Sequence, residues 1–227
     1  TLRPRLEAGA ATLGLSLGGA QCDALLAYLA LLLRWNRAYN LTAIREPEAM
    51  LTQHVLDSLA IVKPIDDWLA ARGADSALRL LDVGSGAGLP GVVLAIVRPA
   101  WQVVCVDAVA KKAGFVRQVA AELGLPKLRA EHARVETLRI PAFDLITSRA
   151  FASLADFATL TRQHLAPGGV WLAMKGEPSA DELEALPDGV RLRAVQPLQV
   201  PGLAARRCAV WLELAENSAA PPDHPLR

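Results

Sequence analysis

Little in this chain points to cross-linking, export or a membrane. Three cysteines in 227 residues, Cys22, Cys105 and Cys208, are an odd number without metal-ligand spacing. That excludes a disulfide scaffold and a cysteine-based zinc site, and no metal is expected. Cys105 lies within a predicted strand and reads as a small core residue. Apolar runs such as Leu29–Leu33 fall far short of the roughly 20 residues a membrane helix needs. The first residues show no apolar stretch followed by a small-residue cleavage site, so no export signal is read and a cytoplasmic location is expected. Charge of one sign is missing too: 24 basic residues against 23 acidic ones leave a net +1. A nucleic-acid partner would have to be met by a local patch rather than by overall basicity. What is abundant is apolar material, 52% of the residues, enough for one large core and too much for a disordered chain.

The chain is organised around Leu78–Gly91, LRLLDVGSGAGLPG. A short apolar run carries Asp82 near its end, breaks at glycines 84, 86, 88 and 91, and resumes as Val92–Val97 before Pro99. The pattern predicts a buried strand, a tight turn and a helix, the opening unit of an α/β sheet. Glycine is expected there because a Cβ would hold a ligand away and because some positions call for positive φ. The N–H groups of the turn and the helix start are then expected to face an adenosine-bearing ligand.

Spacing alone leaves two cofactors open. Gly86, Gly88 and Gly91 satisfy G-x-G-x-x-G, and Asp107 lies 21 residues beyond Gly86, where a nicotinamide enzyme places its ribose-binding acid. Two features favour S-adenosylmethionine instead. Asp82 precedes the loop, where a carboxylate suits an ammonium group and not a phosphate. The loop also begins at Gly84, giving the D-x-G-x-G-x-G of class I methyltransferases. A glycine turn with no ligand is the plain alternative, which the second acid at Asp107 weakens.

Before this unit the chain reads as helical. Residues 1–20 predict a short helix and a turn, and Gln21–Arg37 carries an amphipathic stripe of leucines at 25, 26, 29, 32 and 33. After the turn-type residues Asn40 and Thr42, a helix is predicted from Pro47 to Lys63, stopped by Pro64. Its stripe of Leu51, Val55, Leu59 and Val62 leaves His54, Asp57 and Ser58 together on another face. His54 and Asp57 invite a catalytic role. The preferred reading is that they pair with each other or with nearby backbone, since no nucleophile completes a triad.

From Leu78 onward strands and helices alternate, which predicts a parallel sheet with right-handed crossovers. Strands are expected at Gln102–Val106, Leu128–Glu131, Phe143–Thr147 and Val170–Met174, and helices at Ala110–Leu123, Leu154–Leu165 and Pro178–Leu186. Val190–Leu198 and Arg207–Leu214 then alternate as two strands around Pro201-Gly202. A closing antiparallel pair argues against a second nucleotide-binding half, and so against nicotinamide. Candidate side chains follow the strand ends. Lys111 and Lys112 could meet a phosphate, a solvated helix face being the alternative. The turn at Arg134, Val135 and Glu136 is placed to wrap an adenine, and Arg149 is expected beside the cofactor. Residues 1–70 are expected to form a helical extension on a core of 71–215, with a disordered tail at 216–227.

With these segments in hand, the chain resembles the RsmG/GidB family, bacterial methyltransferases acting on N7 of a guanine in 16S ribosomal RNA. The resemblance spans roughly Leu33 to Leu214 and rests on Trp35-Asn36, Tyr39-Asn40-Leu41-Thr42, His54-Val55-Leu56-Asp57-Ser58, Asp82 to Gly91, Ser148-Arg149-Ala150-Phe151-Ala152 and Lys175-Gly176. It implies a class I (Rossmann-like) methyltransferase fold, an α/β architecture whose seven-stranded, mostly parallel sheet is closed by an antiparallel hairpin and preceded by a helical extension. Gly84 and Leu89 would line S-adenosylmethionine, beside Asp82, Gly86 and Gly88 from the loop pattern. Asp107, Ala108 and Val109 would contact its ribose and adenine side, Val135 and Glu136 the adenine, and Arg149 the methionine end. Lys111, Lys112, Arg117, Arg149, Lys175 and Arg207 would form the RNA surface.

The implied partner is 16S ribosomal RNA in the small subunit or an assembly intermediate, met by a monomer without membrane contact. Guanine N7 carries a lone pair and no proton, so it can attack a sulfonium methyl in line without a base. Arg149, with His54 and Asp57, are the candidate catalytic residues. The alternatives are a non-catalytic assembly factor with a relic site and a methyltransferase for another substrate. Two residues depart from the family pattern: Gly114 inside a predicted helix, and Cys208 after Arg206-Arg207.

Overall fold

The computed structural model describes residues 1–73 and 77–215; the tail expected from 216 lies outside them. Seven strands make one sheet: β1 (Arg79–Val83), β2 (Gln102–Asp107), β3 (Leu128–His132), β4 (Phe143–Ser148), β5 (Leu165–Lys175), β6 (Val190–Leu198) and β7 (Arg207–Leu214). Their order is β3-β2-β1-β4-β5-β7-β6. All neighbours run parallel except β7, which is antiparallel to both β5 and β6.

Alternation along the strands sends successive side chains to opposite faces. Leu80, Val103, Leu145, Leu172 and Trp211 enter one core, while Leu81, Val106, Ile146, Trp171 and Val210 enter the other. The first face is covered by the helices Gly91–Val97 and Ala110–Glu122 and by the N-terminal helices Leu2–Thr12 and Gly19–Tyr39. The second is covered by the helix Leu154–Thr161, whose start is capped by Ser153 accepting from the Asp156 N–H at 3.1 Å. Helices on both faces explain why adjacent residues at the middle of β1 and β4, Leu80-Leu81 and Leu145-Ile146, are all apolar and buried. The chain leaves β1 toward β2 on one side and enters β4 on the other, so a crevice opens at the carboxyl ends of β1 and β4.

Two departures bear on the site. The helix expected over Pro47–Lys63 begins at Pro47–Met50, widens into a π-helix over Leu51–Leu56 and closes at Asp57–Leu59. The wider turns bring His54, Asp57 and Ser58 inward along with Val55 and Leu59, and all five are buried. The separate polar face anticipated for them does not exist. Pro64 does not stop the chain either: a helix runs from Val62 to Ala71 through it. As the third residue of that helix, Pro64 lacks an N–H where none would find an intrahelical partner, so nothing is lost. β5 also starts earlier than Val170, at Leu165, and Gly168 at φ 74° absorbs a shift in its register against β4.

Candidate active site

The glycine bend follows β1 directly into this crevice. Gly86 takes φ +57°, and a Cβ built on it would meet nothing within 4 Å; the space over the bend is open. Gly91 is glycine for another reason. Its Cβ would stand 2.5 Å from Cys105 Sγ and 2.9 Å from Asp82 Oδ2, so only glycine lets the helix sit this close to β1 and β2.

The N–H groups of the bend are almost all spent inside the protein. Gly84 and Ser85 donate to the Val106 carbonyl at 2.8 and 3.3 Å, and Gly88 and Leu89 to the Ser85 carbonyl at 2.8 and 2.9 Å. Gly86 donates to Asp107 Oδ2 at 2.9 Å and Gly91 to Asp82 Oδ2 at 2.7 Å. The expectation that these donors face the ligand is therefore corrected: neighbouring carboxylates and carbonyls already hold them. A pyrophosphate cradle needs such groups free, and the dinucleotide alternative loses its binding device.

Asp82 is wholly buried under the bend, and its Oδ1 has no partner among the described residues. Burial pushes this carboxyl up to about 7, with the Gly91 N–H opposing. A buried carboxylate oxygen left alone is costly unless a cation or a donor meets it. A lone carboxyl oxygen beneath an open bend fits a cofactor that brings an ammonium group, which would favour its ionised form. Asp107 braces the bend through Gly86 and accepts the Val109 N–H at 2.9 Å on its other oxygen; each oxygen keeps a second lone pair. Ala108 and Val109 are exposed at the rim, Val109 to 39%. Val135 is buried and Glu136 exposed in a single 3-10 turn, pinned where His164 Nε2 meets the Val135 carbonyl at 2.7 Å.

Beside the bend lies a cavity of about 210 Å³ lined by Leu41, Thr42, His54, Gly86, Leu89 and Arg149, among others. It brings together Gly84, Gly86, Leu89, His54 and Arg149; Asp82, Gly88, Asp107, Ala108, Val109, Val135 and Glu136 lie outside its lining. His54 Nε2 is 2.8 Å from Thr42 Oγ1, while its Nδ1 has no partner among the described residues. Burial, aided by Arg149, lowers this histidine to about 4, so the ring is neutral at neutral pH. Thr42 is held in turn, its N–H donating to Asn36 Oδ1 at 2.9 Å.

The pairing of His54 with Asp57 is not found. Asp57 accepts instead from Arg149 Nη1 at 3.0 Å and from Arg207 Nε and Nη2 at 2.7 and 3.0 Å. Two guanidinium groups outcompete a neutral imidazole for one carboxylate. These three residues border a second cavity of about 290 Å³, which shares His54 and Arg149 with the first. Sequence reasoning missed this contact, which spans 150 positions, and it missed Tyr28, whose hydroxyl donates to the Ala87 carbonyl at 2.8 Å. No local pattern signals either one.

The expected basic residues divide. Lys111 is exposed, and neither it nor Lys112 forms an ion pair among the described residues. Arg117 donates to the Ala130 carbonyl at 3.1 Å. Lys175 is already engaged by Glu182 and by the Ala152 carbonyl.

A parallel sheet with one reversed strand next to its edge, and an acid-and-glycine bend at the β1–β4 crevice, is the architecture of Rossmann-like methyltransferases. The crystal structure of TrmN from Thermus thermophilus superposes with a TM-score of 0.53 at 23% identity, over 72% of this chain and 53% of that one. Ribosomal protein L11 methylase from Lactobacillus delbrueckii subsp. bulgaricus gives 0.50 at 17% identity, over 70% of this chain and 76% of that one. At these identities the likeness shows the fold alone. The GidB family model, described as rRNA small subunit methyltransferase G, matches residues 21–210, and the chain belongs to that family. Relatives named ribosomal RNA small subunit methyltransferase G include one from Methylibium petroleiphilum, 58% identical over 91% of this chain and 92% of its own length. Another, from Leptothrix cholodnii, is 58% identical over 92% and 94%.

Proposed function

We propose that the protein methylates N7 of a guanine in small-subunit (16S) ribosomal RNA with S-adenosylmethionine as donor. The observation that carries the reading is the orphaned Oδ1 of Asp82 beneath an open bend, in a chain that belongs to this family over residues 21–210. Asp82 would hold the ammonium group of the cofactor, directly or through water, and Gly84, Gly86, Gly88 and Leu89 would lie against it. Asp107 with Ala108 and Val109 would take the ribose side, Val135 and Glu136 the adenine, and Arg149 the reactive end. When bound, this cofactor supplies an electrophilic methyl group, and guanine N7 is an unprotonated nucleophile.

The chain itself therefore has little acid–base work to do. Its task is to hold two partners in line and keep water away, an effect worth on the order of 7–11 kcal/mol in well-oriented reactions. His54, neutral and packed between Thr42 and Arg149, can present a donor or an acceptor to the base without changing charge. N7 faces the deep groove of A-form RNA, so the target base is taken from a loop or flipped out. Lys111, Lys112 and Arg117 supply an RNA surface, joined by Lys175 and Arg207 nearer the crevice. On this reading residues 1–70 form the helical extension and 71–215 the catalytic core of a cytoplasmic monomer.

Transfer of radiolabelled methyl to small ribosomal subunits, followed by nucleoside analysis, tests the proposal. Label in 7-methylguanosine is expected; label in another base rejects the N7 assignment, and no label with bound cofactor leaves the assembly-factor alternative. Asp107→Ala should weaken cofactor binding in calorimetry, and an unchanged affinity rejects its ribose role.

A further inference from the structure

The reaction as proposed gives no part to the carboxylate of Asp57. That carboxylate borders the second cavity. Its side chain is 3% exposed, and those of Arg149 and Arg207 are 23% and 19% exposed. One buried anion thus faces two guanidinium groups, and the cluster keeps a surplus positive charge. The rest of the lining, Ile44, Gln53, His54, Leu203 and Ala205, includes no second carboxylate. Glu213 is likewise shared by Arg191 and Arg193, but those two arginine side chains are 45% exposed; at Asp57 both cations are largely withdrawn from water, where a surplus charge costs hydration.

The geometry also leaves donors over. Asp57 engages Nη1 of Arg149, which also reaches the Gln53 carbonyl at 3.4 Å, and it engages Nε and Nη2 of Arg207. Nε and Nη2 of Arg149 and Nη1 of Arg207 have no partner among the described residues, and a guanidinium carries five N–H donors in a rigid fork. Arg149 borders the cavity beside the glycine bend, whereas Arg207 does not. Arg207 instead borders a groove of about 590 Å³ that runs beneath the closing hairpin past Val195, Leu198, Val200 and Pro201. The arginine pair therefore stands between the cavity beside the bend and this larger groove.

We propose that this pocket binds a backbone phosphate of the RNA at the target nucleotide, with Arg149 and Arg207 donating to it and Asp57 as the positioning residue that fixes both forks. The proposal rests on the RNA-substrate reading above. An anion held there has two sources of the same chemistry, a nucleotide phosphate or the carboxylate of the cofactor. The position of Arg207, away from the bend, selects the phosphate.

The test compares guanosine 5′-monophosphate with guanosine, each titrated calorimetrically in the presence of S-adenosylhomocysteine, so it stands apart from any methyl transfer. The wild type is expected to prefer the monophosphate by about tenfold. Arg207→Gln should abolish that preference while leaving S-adenosylhomocysteine affinity intact, and Arg207→Lys should restore part of it. Asp57→Asn adds positive charge to the pocket, so a merely electrostatic pocket would bind the monophosphate more tightly; loss of preference in the folded variant identifies positioning. Should Asp57→Asn fail to fold, the two Arg207 variants decide alone. No preference in the wild type overturns the proposal. So does a fall in S-adenosylhomocysteine affinity in Arg207→Gln that matches the fall for the monophosphate, since the anion would then be the cofactor's carboxylate. Failure to label ribosomal RNA, with the monophosphate preference intact, rejects the substrate and spares the phosphate site.

Discussion

The glycine bend and the arginine pocket lie side by side, yet they are built in opposite ways. The bend is one continuous stretch that satisfies itself: its donors go to Val106, Ser85, Asp82 and Asp107, within about two strands of sequence. The pocket is assembled from Asp57, Arg149 and Arg207, Asp57 lying 92 and 150 positions from the two arginines and carried by the turn that closes the π-helical segment, with Arg149 just after β4 and Arg207 at the start of β7. The first is held by main-chain bonds and glycine sterics, the second by charge. A ligand gripped by the bend meets a preformed surface, whereas one gripped by the pocket meets donors whose aim depends on a single carboxylate.

The comparison can be broken most severely at the pocket. Asp57→Ala leaves two neighbouring guanidinium groups without their anion, and a loss of about 3 kcal/mol in urea unfolding at pH 7 is expected. A loss below about 1 kcal/mol would show that the pocket is no more charge-dependent than an exposed pair.

The bend should respond to pH instead. The Asp82 carboxyl titrates near 7 when folded, raised by burial from an ordinary 3.8, so it favours the fold below about pH 4 and costs stability as pH rises through 7. An ammonium group demands the ionised form, so S-adenosylmethionine affinity should climb by up to about tenfold between pH 6 and pH 8 and level off above that. Asp82→Asn should flatten both the stability and the affinity profiles. A wild-type affinity that does not change across this range removes Asp82 from the cofactor's amino end.

The smallest effect sharpens the comparison by touching neither region. Gly114 sits within the helix Ala110–Glu122, and a Cβ there would meet nothing within 4 Å. Gly114→Ala should raise stability by about 0.5–1 kcal/mol in thermal unfolding, without altering cofactor or monophosphate binding. With Cys208 it is one of the two positions that the sequence sets apart from the pattern of the resemblance, and no steric reason for glycine is visible there.

Much of the fold was legible because its signals are local. β6 and β7 match their expected bounds because strand-forming stretches flank the turn residues Pro201-Gly202, even though a register irregularity between Leu192 and Ala194 interrupts β6, and the strand, glycine and helix unit around β1 carries its own punctuation. The π-helix was not legible. Its apolar residues fit an ordinary helical stripe, and the widening shows only in the burial of His54, Asp57 and Ser58 together. Pro64 misled because its effect depends on its place in a helix, not on its presence. At the site, the sequence named the bend, Arg149 and His54, which line one cavity, but mispaired Asp57, because which cation reaches a carboxylate is decided by how β7 reverses beside β5. It also placed the bend's donors toward a ligand, since an outward-looking loop and one bonded back onto its neighbours share the same glycines.

Tyr28 gives the first helices a bearing on all of this. Its ring is fully enclosed and burial raises its hydroxyl far above the usual tyrosine range, so it remains a donor to Ala87 at any working pH. The segment that looks like a detachable preface is thus a strut fastened to the floor of the binding surface. Because such coupling is reciprocal, a ligand that stiffens the floor must also slow amide exchange along Gly19–Tyr39, and clipping that helix away must loosen the grip from a distance.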